Sequence, residues 1–133
     1  MQDNNYVLCI DDDEDDCQLL ADALYTVNSS IPLKFEKSGD DALIFLNGAI
    51  ETGNLPGLIV LDVNMPGMDG KETFYQIRSI PLLQKVPVLF LSTSINDPDI
   101  LEFENNGVSI FKKPNTVKEF DEIAMTIVYL MYQ

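Results

Sequence analysis

The sequence predicts an α/β fold in which a doubly wound, five-stranded parallel sheet lies between two layers of helices, a three-layer α/β/α arrangement. Five short apolar runs alternate along the chain with segments whose apolar residues fall at helical spacing. Turn residues separate the two kinds of segment. The length of 133 residues suits one compact domain, and we expect a single domain over residues 1–133.

The first predicted strand and helix occupy residues 6–27. Tyr6–Ile10 is short and apolar, as buried strands are. A helix is expected from Glu14 to Val27, with Asp13 or Asp15 as its cap. The residues at helical spacing that form its apolar face are Leu20, Ala23, Leu24 and Val27.

The second and third strands are predicted at Leu33–Lys37 and Leu58–Asp62. Ser38 is expected to cap the helix between them, because Asp41 stands at the third helical position. The inner face of that helix is predicted to carry Ala42, Phe45 and Leu46. A third helix should run to about Arg78, and Pro81 ends it.

The last two strands are predicted at Pro87–Leu91 and Val108–Lys112. Asp97 with Pro98 reads as an N-cap followed by proline at the first helical position, and that helix should continue to about Asn106. Thr116 and Glu119 have the spacing of a capping box for the last helix. Its predicted buried residues are Phe120, Ile123, Ala124, Ile127 and Val128.

Composition excludes several classes of partner. The chain has 22 acidic and 8 basic residues, a formal charge of −14. This balance opposes direct binding to nucleic acid or to anionic membranes, and it favours divalent cations and basic partner surfaces. No apolar run approaches the roughly 20 residues of a membrane span, and the N-terminus lacks the features of a signal peptide. A cytoplasmic location is expected, with Cys9 and Cys17 as reduced thiols.

Four of the five apolar runs end in residues suited to metal and phosphoryl chemistry. Asp11-Asp12 follows the first run, Asp62 the third, Ser92 the fourth and Lys113 the fifth. Any one of them alone is also explained as a helix cap, a turn acid or a surface residue. In a parallel α/β sheet, however, the carboxyl ends of the strands form one ligand crevice.

The residue types at that edge suit phosphoryl transfer to a carboxylate. Asp62 would be the nucleophile that becomes an aspartyl phosphate. Asp12, Asp62 and the backbone carbonyl of Asn64 would supply the oxygen atoms that Mg²⁺ prefers. The Lys113 ammonium would neutralise charge on the phosphoryl oxygens, and the Ser92 hydroxyl would donate a hydrogen bond to one of them.

The chain resembles the receiver domain of two-component response regulators over about residues 6–129. Four segments carry the resemblance: Val7–Asp13, Leu58–Gly70 with its Asp-x-Asn-Met-Pro-Gly-Met-Asp-Gly sequence, Pro87–Ser94 and Phe111–Pro114. The resemblance implies a flavodoxin-like (CheY-like) sheet of order 2-1-3-4-5. It also implies a cis peptide bond between Lys113 and Pro114.

The resemblance assigns a role to each residue of the crevice. Asp62 matches the phosphoacceptor, Ser92 the switch hydroxyl and Lys113 the invariant lysine. Asp12 matches the direct Mg²⁺ ligand, Asp11 the acid that binds the metal through water, and Asn64 the carbonyl ligand.

Two positions depart from the family pattern. Ile110 stands where the family usually has its switch aromatic, and Phe111, one residue later, should face the opposite side of the sheet. Asn115 replaces a phenylalanine that often follows the Lys-Pro pair. In length and in its Leu-Ser-Thr-Ser run the chain is similar to small single-domain regulators, some of which partner bacterial phytochrome kinases.

The resulting interpretation is a signalling switch and not a turnover enzyme. A histidine kinase or phosphotransfer protein would phosphorylate Asp62, and an unidentified downstream protein would bind one state of a monomer or homodimer. A receiver cut from a larger regulator or hybrid kinase stays open, as does a receiver-like scaffold that needs no phosphate. An aspartyl-nucleophile phosphatase is disfavoured, because Asn64 stands where such enzymes need a second acid.

Overall fold

The computed structural model describes residues 5–94 and 98–132. The strands are β1 Val7–Ile10, β2 Leu33–Glu36, β3 Leu58–Asp62, β4 Val88–Ser92 and β5 Ser109–Lys112. The α-helices are α1 Glu14–Val27, α2 Gly39–Thr52, α3 Gly70–Arg78, α4 Pro98–Leu101 and α5 Val117–Met131. Two 3₁₀ segments, Pro81–Leu83 and Glu102–Asn106, complete the regular structure.

The five strands form one parallel sheet in the order β2-β1-β3-β4-β5. This confirms the predicted fold class and the order that the resemblance implied. The central strands β1 and β3 are buried at every position, because helices cover a parallel sheet on both faces and its inner strands therefore carry apolar side chains in both directions.

Alternation along the strands produces two cores. On one face, Leu8, Ile10 and Ile59 pack with residues of α2, α3 and the 3₁₀ segment after α4. On the other face, Cys9 and Val60 pack with residues of α1 and α5. Each sheet face thus has its own layer of helices, as predicted from the alternating pattern.

Side-chain caps set where several helices begin. Asp13 caps α1 by accepting from the backbone N–H groups of Asp15 and Asp16. Ser38 caps α2 through the N–H of Asp41 at 3.0 Å, as predicted. Thr116 caps α5 through the N–H of Glu119 at 3.1 Å. These hydrogen bonds satisfy amide groups that have no partner within the helix.

Several local predictions are corrected. The segment predicted as one helix to Asn106 changes to 3₁₀ geometry at Glu102 and ends at Gly107, whose φ is +80°. The predicted cap Asp97 lies outside the described residues. Val27 ends α1 and is 38% exposed, so it is not part of the buried face. All described peptide bonds are trans, including the one before Pro114, contrary to the implied cis bond.

Cys9 and Cys17 are free and buried, with their sulfur atoms 3.1 Å apart in a hydrogen bond that joins β1 to α1. No helix in the described part of the chain combines the length and the apolarity that crossing a bilayer requires.

Candidate functional site

Three carboxylates meet at the carboxyl edge of the sheet. Asp62 is the last residue of β3 and is 1% exposed, whereas Asp11 directly follows β1 and is 2% exposed. The two strands are neighbours, with Ile10 paired to Leu61. Asp12 is exposed beside them, and one oxygen atom from each of the three side chains lies within 4.8 Å of the others. The predicted acidic cluster therefore exists in the fold.

Lys113 joins this cluster from the loop after β5. Its Nζ donates a hydrogen bond to Asp62 Oδ2 at 3.1 Å and lies 3.7 Å from Asp11 Oδ2. Its backbone N–H donates to the Ser92 carbonyl at 2.8 Å, which fixes the loop against β4. Lys112, the last residue of β5, is exposed.

Asp16 also contacts Lys113, which was not predicted from the sequence. It lies in the first turn of α1, and its Oδ2 is 3.6 Å from the Lys113 Nζ. The sequence contained a partial signal, since Asp16 immediately precedes the buried Cys17 on a helix that starts at the carboxyl edge of β1.

Burial and charge shift the titration of this cluster. Burial raises the pKa of Asp11 to about 7, and the negative charge of Asp62 adds to the rise, whereas the hydrogen bond from the Asp13 N–H and the charge of Lys113 oppose it. Burial alone would lower the pKa of Lys113, but its hydrogen bond to Asp62 and the charges of Asp11, Asp62 and Asp16 raise it above its usual value. The lysine therefore stays charged at neutral pH.

Both oxygen atoms of Asp62 are engaged. Oδ2 accepts from Lys113, and Oδ1 accepts from the backbone N–H of Asn64 at 3.0 Å. The Asn64 side chain extends to the loop after β4, where its Oδ1 accepts from the Thr93 N–H at 3.0 Å and from the Thr93 hydroxyl at 3.2 Å. This bridge between two loops was not predicted from the sequence.

Ser92 ends β4 and is buried, but its hydroxyl points into its own loop. Oγ donates to the Ser94 carbonyl at 3.0 Å and accepts from the Ser94 N–H at 3.2 Å. No hydrogen bond among the described residues joins it to Asp62. The structure thus brings Asp11, Asp12, Asp62 and Lys113 together and keeps the Ser92 hydroxyl in a local turn.

Gly70 allows α3 to begin directly behind Asp62. A Cβ atom added to Gly70 would lie 2.5 Å from the Asp62 carbonyl oxygen and 2.6 Å from Val63 Cα. Both of these are backbone atoms that cannot give way to a side chain. Only glycine fits this close approach.

Ile110 and Phe111 lie on opposite faces of the sheet, as predicted. Ile110 packs against the core shared with α2 and α3, and Phe111 packs against the core shared with α1 and α5. The aromatic side chain of this strand is therefore on the face away from Phe90 and Phe103.

Comparison with known proteins independently supports the resemblance to receiver domains. A family model described as "Response regulator receiver domain" matches residues 7–124. The response regulator Rcp1 of Synechocystis is 34% identical over 97 residues, which cover 71% of this chain and 66% of Rcp1. The chain thus spans slightly less than two thirds of that relative.

Two solved structures match this chain over more than nine tenths of its length and of their own. The phosphorylated cyanobacterial phytochrome response regulator RcpA matches with a TM-score of 0.83 at 28% identity, covering 98% of this chain and 96% of RcpA. The Mn²⁺-bound form of Rcp1 matches with a TM-score of 0.78 at 29% identity, covering 92% and 91%.

Proposed function

The chain belongs to the response regulator receiver domain family, and on that premise we propose that Asp62 is its phosphoryl acceptor. Receivers of this family are signalling proteins and not turnover enzymes. The proposal further specifies a switch whose phosphorylated and unphosphorylated states bind partners differently.

The contacts of Asp62 are the single observation that carries this proposal. Its carboxylate is 1% exposed, yet it accepts hydrogen bonds from the Lys113 ammonium at 3.1 Å and from the Asn64 N–H at 3.0 Å. A buried carboxylate without such partners would be costly. The Lys113 ammonium, held beside Asp62 by this contact, would be close enough to donate to the oxygens of a phosphoryl group that Asp62 attacks.

The proposed reaction is transfer from a phosphohistidine. A carboxylate oxygen of Asp62 attacks phosphorus, the P–N bond breaks, and the imidazole nitrogen takes its electron pair as leaving group. The product is an acyl phosphate on Asp62. Lys113 balances charge on the phosphoryl oxygens throughout, and the buried walls around Asp62 limit the access of water.

Asp12, Asp62 and the backbone carbonyl of Asn64 are proposed to hold Mg²⁺, with Asp11 acting through water. The donor set fits, because three carboxylates supply hard oxygen atoms within 4.8 Å of one another. The Mn²⁺-bound form of Rcp1 supports a divalent ion in this family. When bound, such an ion supplies positive charge against the phosphoryl oxygens and relieves repulsion among the acids.

Ser92 is the proposed start of the switch. A phosphoryl group adds about 1.5–2 negative charges and new acceptor oxygens. The Ser92 hydroxyl would exchange its 3.0 Å bond to the Ser94 carbonyl for one of those oxygens. That exchange would free Ser94 in the loop that leads to α4. Because Ile110 replaces the usual aromatic, the change is proposed to pass through this loop and not through an aromatic flip.

The proposed partners are a sensor histidine kinase or phosphotransfer protein and a downstream protein. Similarity to RcpA, a phytochrome response regulator, favours a phytochrome-type kinase as the donor. We further propose that residues 1–133 act as one receiver domain in the cytoplasm, as a monomer or homodimer, and without contact to nucleic acid, given the net charge of −14.

The test is phosphorylation by acetyl phosphate with Mg²⁺, followed by intact mass. The wild-type chain should gain one phosphoryl group, and a chelator should abolish the gain. Asp62→Asn should show no gain, whereas the control Glu51→Gln, at an exposed position near the end of α2, should match the wild type. An Asp62→Asn protein that is phosphorylated at the wild-type rate would refute the proposal.

A further inference from the structure

We propose that Asp16 restrains the Lys113 ammonium and so acts as a brake on phosphorylation of Asp62. This inference rests on the proposed function, since it concerns the rate of that reaction. Lys113 Nζ is 3.1 Å from the reacting carboxylate of Asp62 and 3.6 Å from Asp16 Oδ2. Asp16 is thus a positioning residue that acts through the lysine.

The first turn of α1 fixes Asp16 in this place. Asp13 caps the helix, and its Oδ1 accepts from the backbone N–H of Asp16 at 3.3 Å. The next residue, Cys17, is buried in hydrogen-bond contact with Cys9 of β1. The cap and the buried thiol together set the rotation of the turn, and the Asp16 carboxylate therefore lies beside the lysine.

The pair is partly shielded from solvent. The Asp16 side chain is 28% exposed and the Lys113 side chain 20% exposed. The cavity beside them, lined in part by Leu20, Leu91 and Phe120, has a volume of only about 10 Å³, room for about one water molecule. The attraction between the charges is therefore screened less than that of a fully exposed pair.

The contact favours the resting state over the transition state. During transfer, the ammonium has to direct its N–H groups to the phosphoryl oxygens, whereas Asp16 draws it toward α1. The Asp16 charge also repels the incoming phosphoryl dianion. An interaction that is stronger before the reaction than in its transition state slows the reaction. Removal of the Asp16 charge should therefore accelerate phosphorylation.

A purely structural salt bridge makes the opposite prediction. If Asp16 only tied α1 to the loop after β5, its removal would loosen the lysine and would lower or leave unchanged the rate. Faster phosphorylation of the variant therefore distinguishes the two roles, because a loss of stability would not raise the rate.

The experiment measures the second-order rate constant for phosphorylation by acetyl phosphate with saturating Mg²⁺, from intact mass against time. Asp16→Asn should be faster than wild type by roughly two- to fivefold, as expected for a partly exposed ion pair. The matched control is Asp15→Asn, which removes the same charge from the neighbouring residue. Asp15 is exposed, and in the described part of the chain it forms no ion pair with Lys113. Its rate should change by much less than that of Asp16→Asn.

Asp16→Glu keeps the negative charge, so its rate of phosphorylation should lie closer to that of the wild type than to that of Asp16→Asn. Urea unfolding of every variant checks that the fold is retained. If the wild type is phosphorylated but Asp16→Asn reacts no faster than Asp15→Asn, the proposed role of Asp16 is refuted. That result would leave the proposal for Asp62 standing. A wild-type chain that is not phosphorylated at all would overturn both proposals.

Discussion

At the scale of single residues, the site combines buried and partly exposed acids with the Lys113 ammonium, which lies close to three of them. Lys113 Nζ lies within 3.7 Å of carboxylate oxygens of Asp11, Asp16 and Asp62. One ammonium cannot neutralise them and the exposed Asp12 as well. Burial raises the pKa of Asp11, and the negative charge of Asp62 adds to the rise. A divalent cation at this edge of the sheet would offset the remaining negative charge.

Asp11 predicts how the stability of the metal-free protein depends on pH. Its pKa rises from 3.8 to about 7 in the fold, so between these values the native state binds more protons than the unfolded state. The free energy of unfolding should then fall as pH rises from about 4 to about 7. Urea unfolding with chelator across this range measures it.

Asp11→Asn is the matched comparison, because it removes the titrating group and keeps the size of the side chain. The variant should gain stability over wild type as pH rises from 4 to 8, by on the order of 4 kcal/mol in total. A difference between the two proteins that stays constant across the range would contradict this role of Asp11.

At the scale of elements, the site depends on how closely helices start behind strands. α3 begins at Gly70, and Gly70 N–H donates to the Val63 carbonyl at 3.2 Å, directly after the phosphoacceptor candidate. Asp69 caps α3 through the N–H of Glu72 at 2.9 Å. The loop that carries Asn64 is thereby held between β3 and a capped helix.

Gly70→Ala should disturb this junction. The added Cβ would approach backbone atoms to 2.5–2.6 Å, and crowding of this kind costs about 1–3 kcal/mol of stability. Gly48→Ala is the control, because Gly48 lies within α2 with nothing within 4 Å of its added Cβ. Gly48→Ala should be neutral or stabilising by up to about 1 kcal/mol.

The two alanine variants are compared by urea unfolding and by their rates of phosphorylation with acetyl phosphate. Equal stability of the two would show that the junction has more room than the structure indicates.

Much of this arrangement followed from the sequence, for identifiable reasons. β1 and β3 are apolar runs that end in acids, and parallel strands bring those ends together, so the approach of Asp11, Asp12 and Asp62 was predictable. The change to 3₁₀ geometry at Glu102 was not, since periods of 3.0 and 3.6 residues are hardly distinguishable over nine residues.

The missed contacts depend on side-chain direction. Asp15 and Asp16 are adjacent and identical in type, yet among the ion pairs of the described residues Lys113 pairs with Asp16 and not with Asp15. The Ser92 hydroxyl donates to the Ser94 carbonyl of its own loop, and this partner depends on loop geometry that has no sequence signature. Spacing predicts which elements meet but not which rotamer is chosen.

At the scale of the whole molecule, charge is the dominant feature. A net charge of −14 on 133 residues opposes the compact state through self-repulsion. The dense run from Asp11 to Asp16 contributes much of this charge at one edge. A cation bound there would relieve local repulsion and complete the site at the same time.

Mg²⁺ should therefore stabilise the fold beyond its effect as a salt. A ligand at 100 times its Kd adds about 2.7 kcal/mol to the free energy of unfolding. Thermal unfolding should show a higher Tm in MgCl₂ than in NaCl of equal ionic strength. Asp12→Asn, at an exposed position of the acidic cluster, should lose most of that difference. Equal Tm values in the two salts would argue against a specific metal site.

Phosphorylation of Asp62 is tested best by locating the phosphoryl group in the chain. Borohydride reduces an acyl phosphate to a primary alcohol, which marks the modified aspartate stably. After phosphorylation, reduction and proteolysis, tandem mass spectrometry should find the alcohol at Asp62 alone. A mark at Asp12 or Asp69, or a phosphorylated protein with no reducible aspartate, would show that Asp62 is not the phosphoryl acceptor.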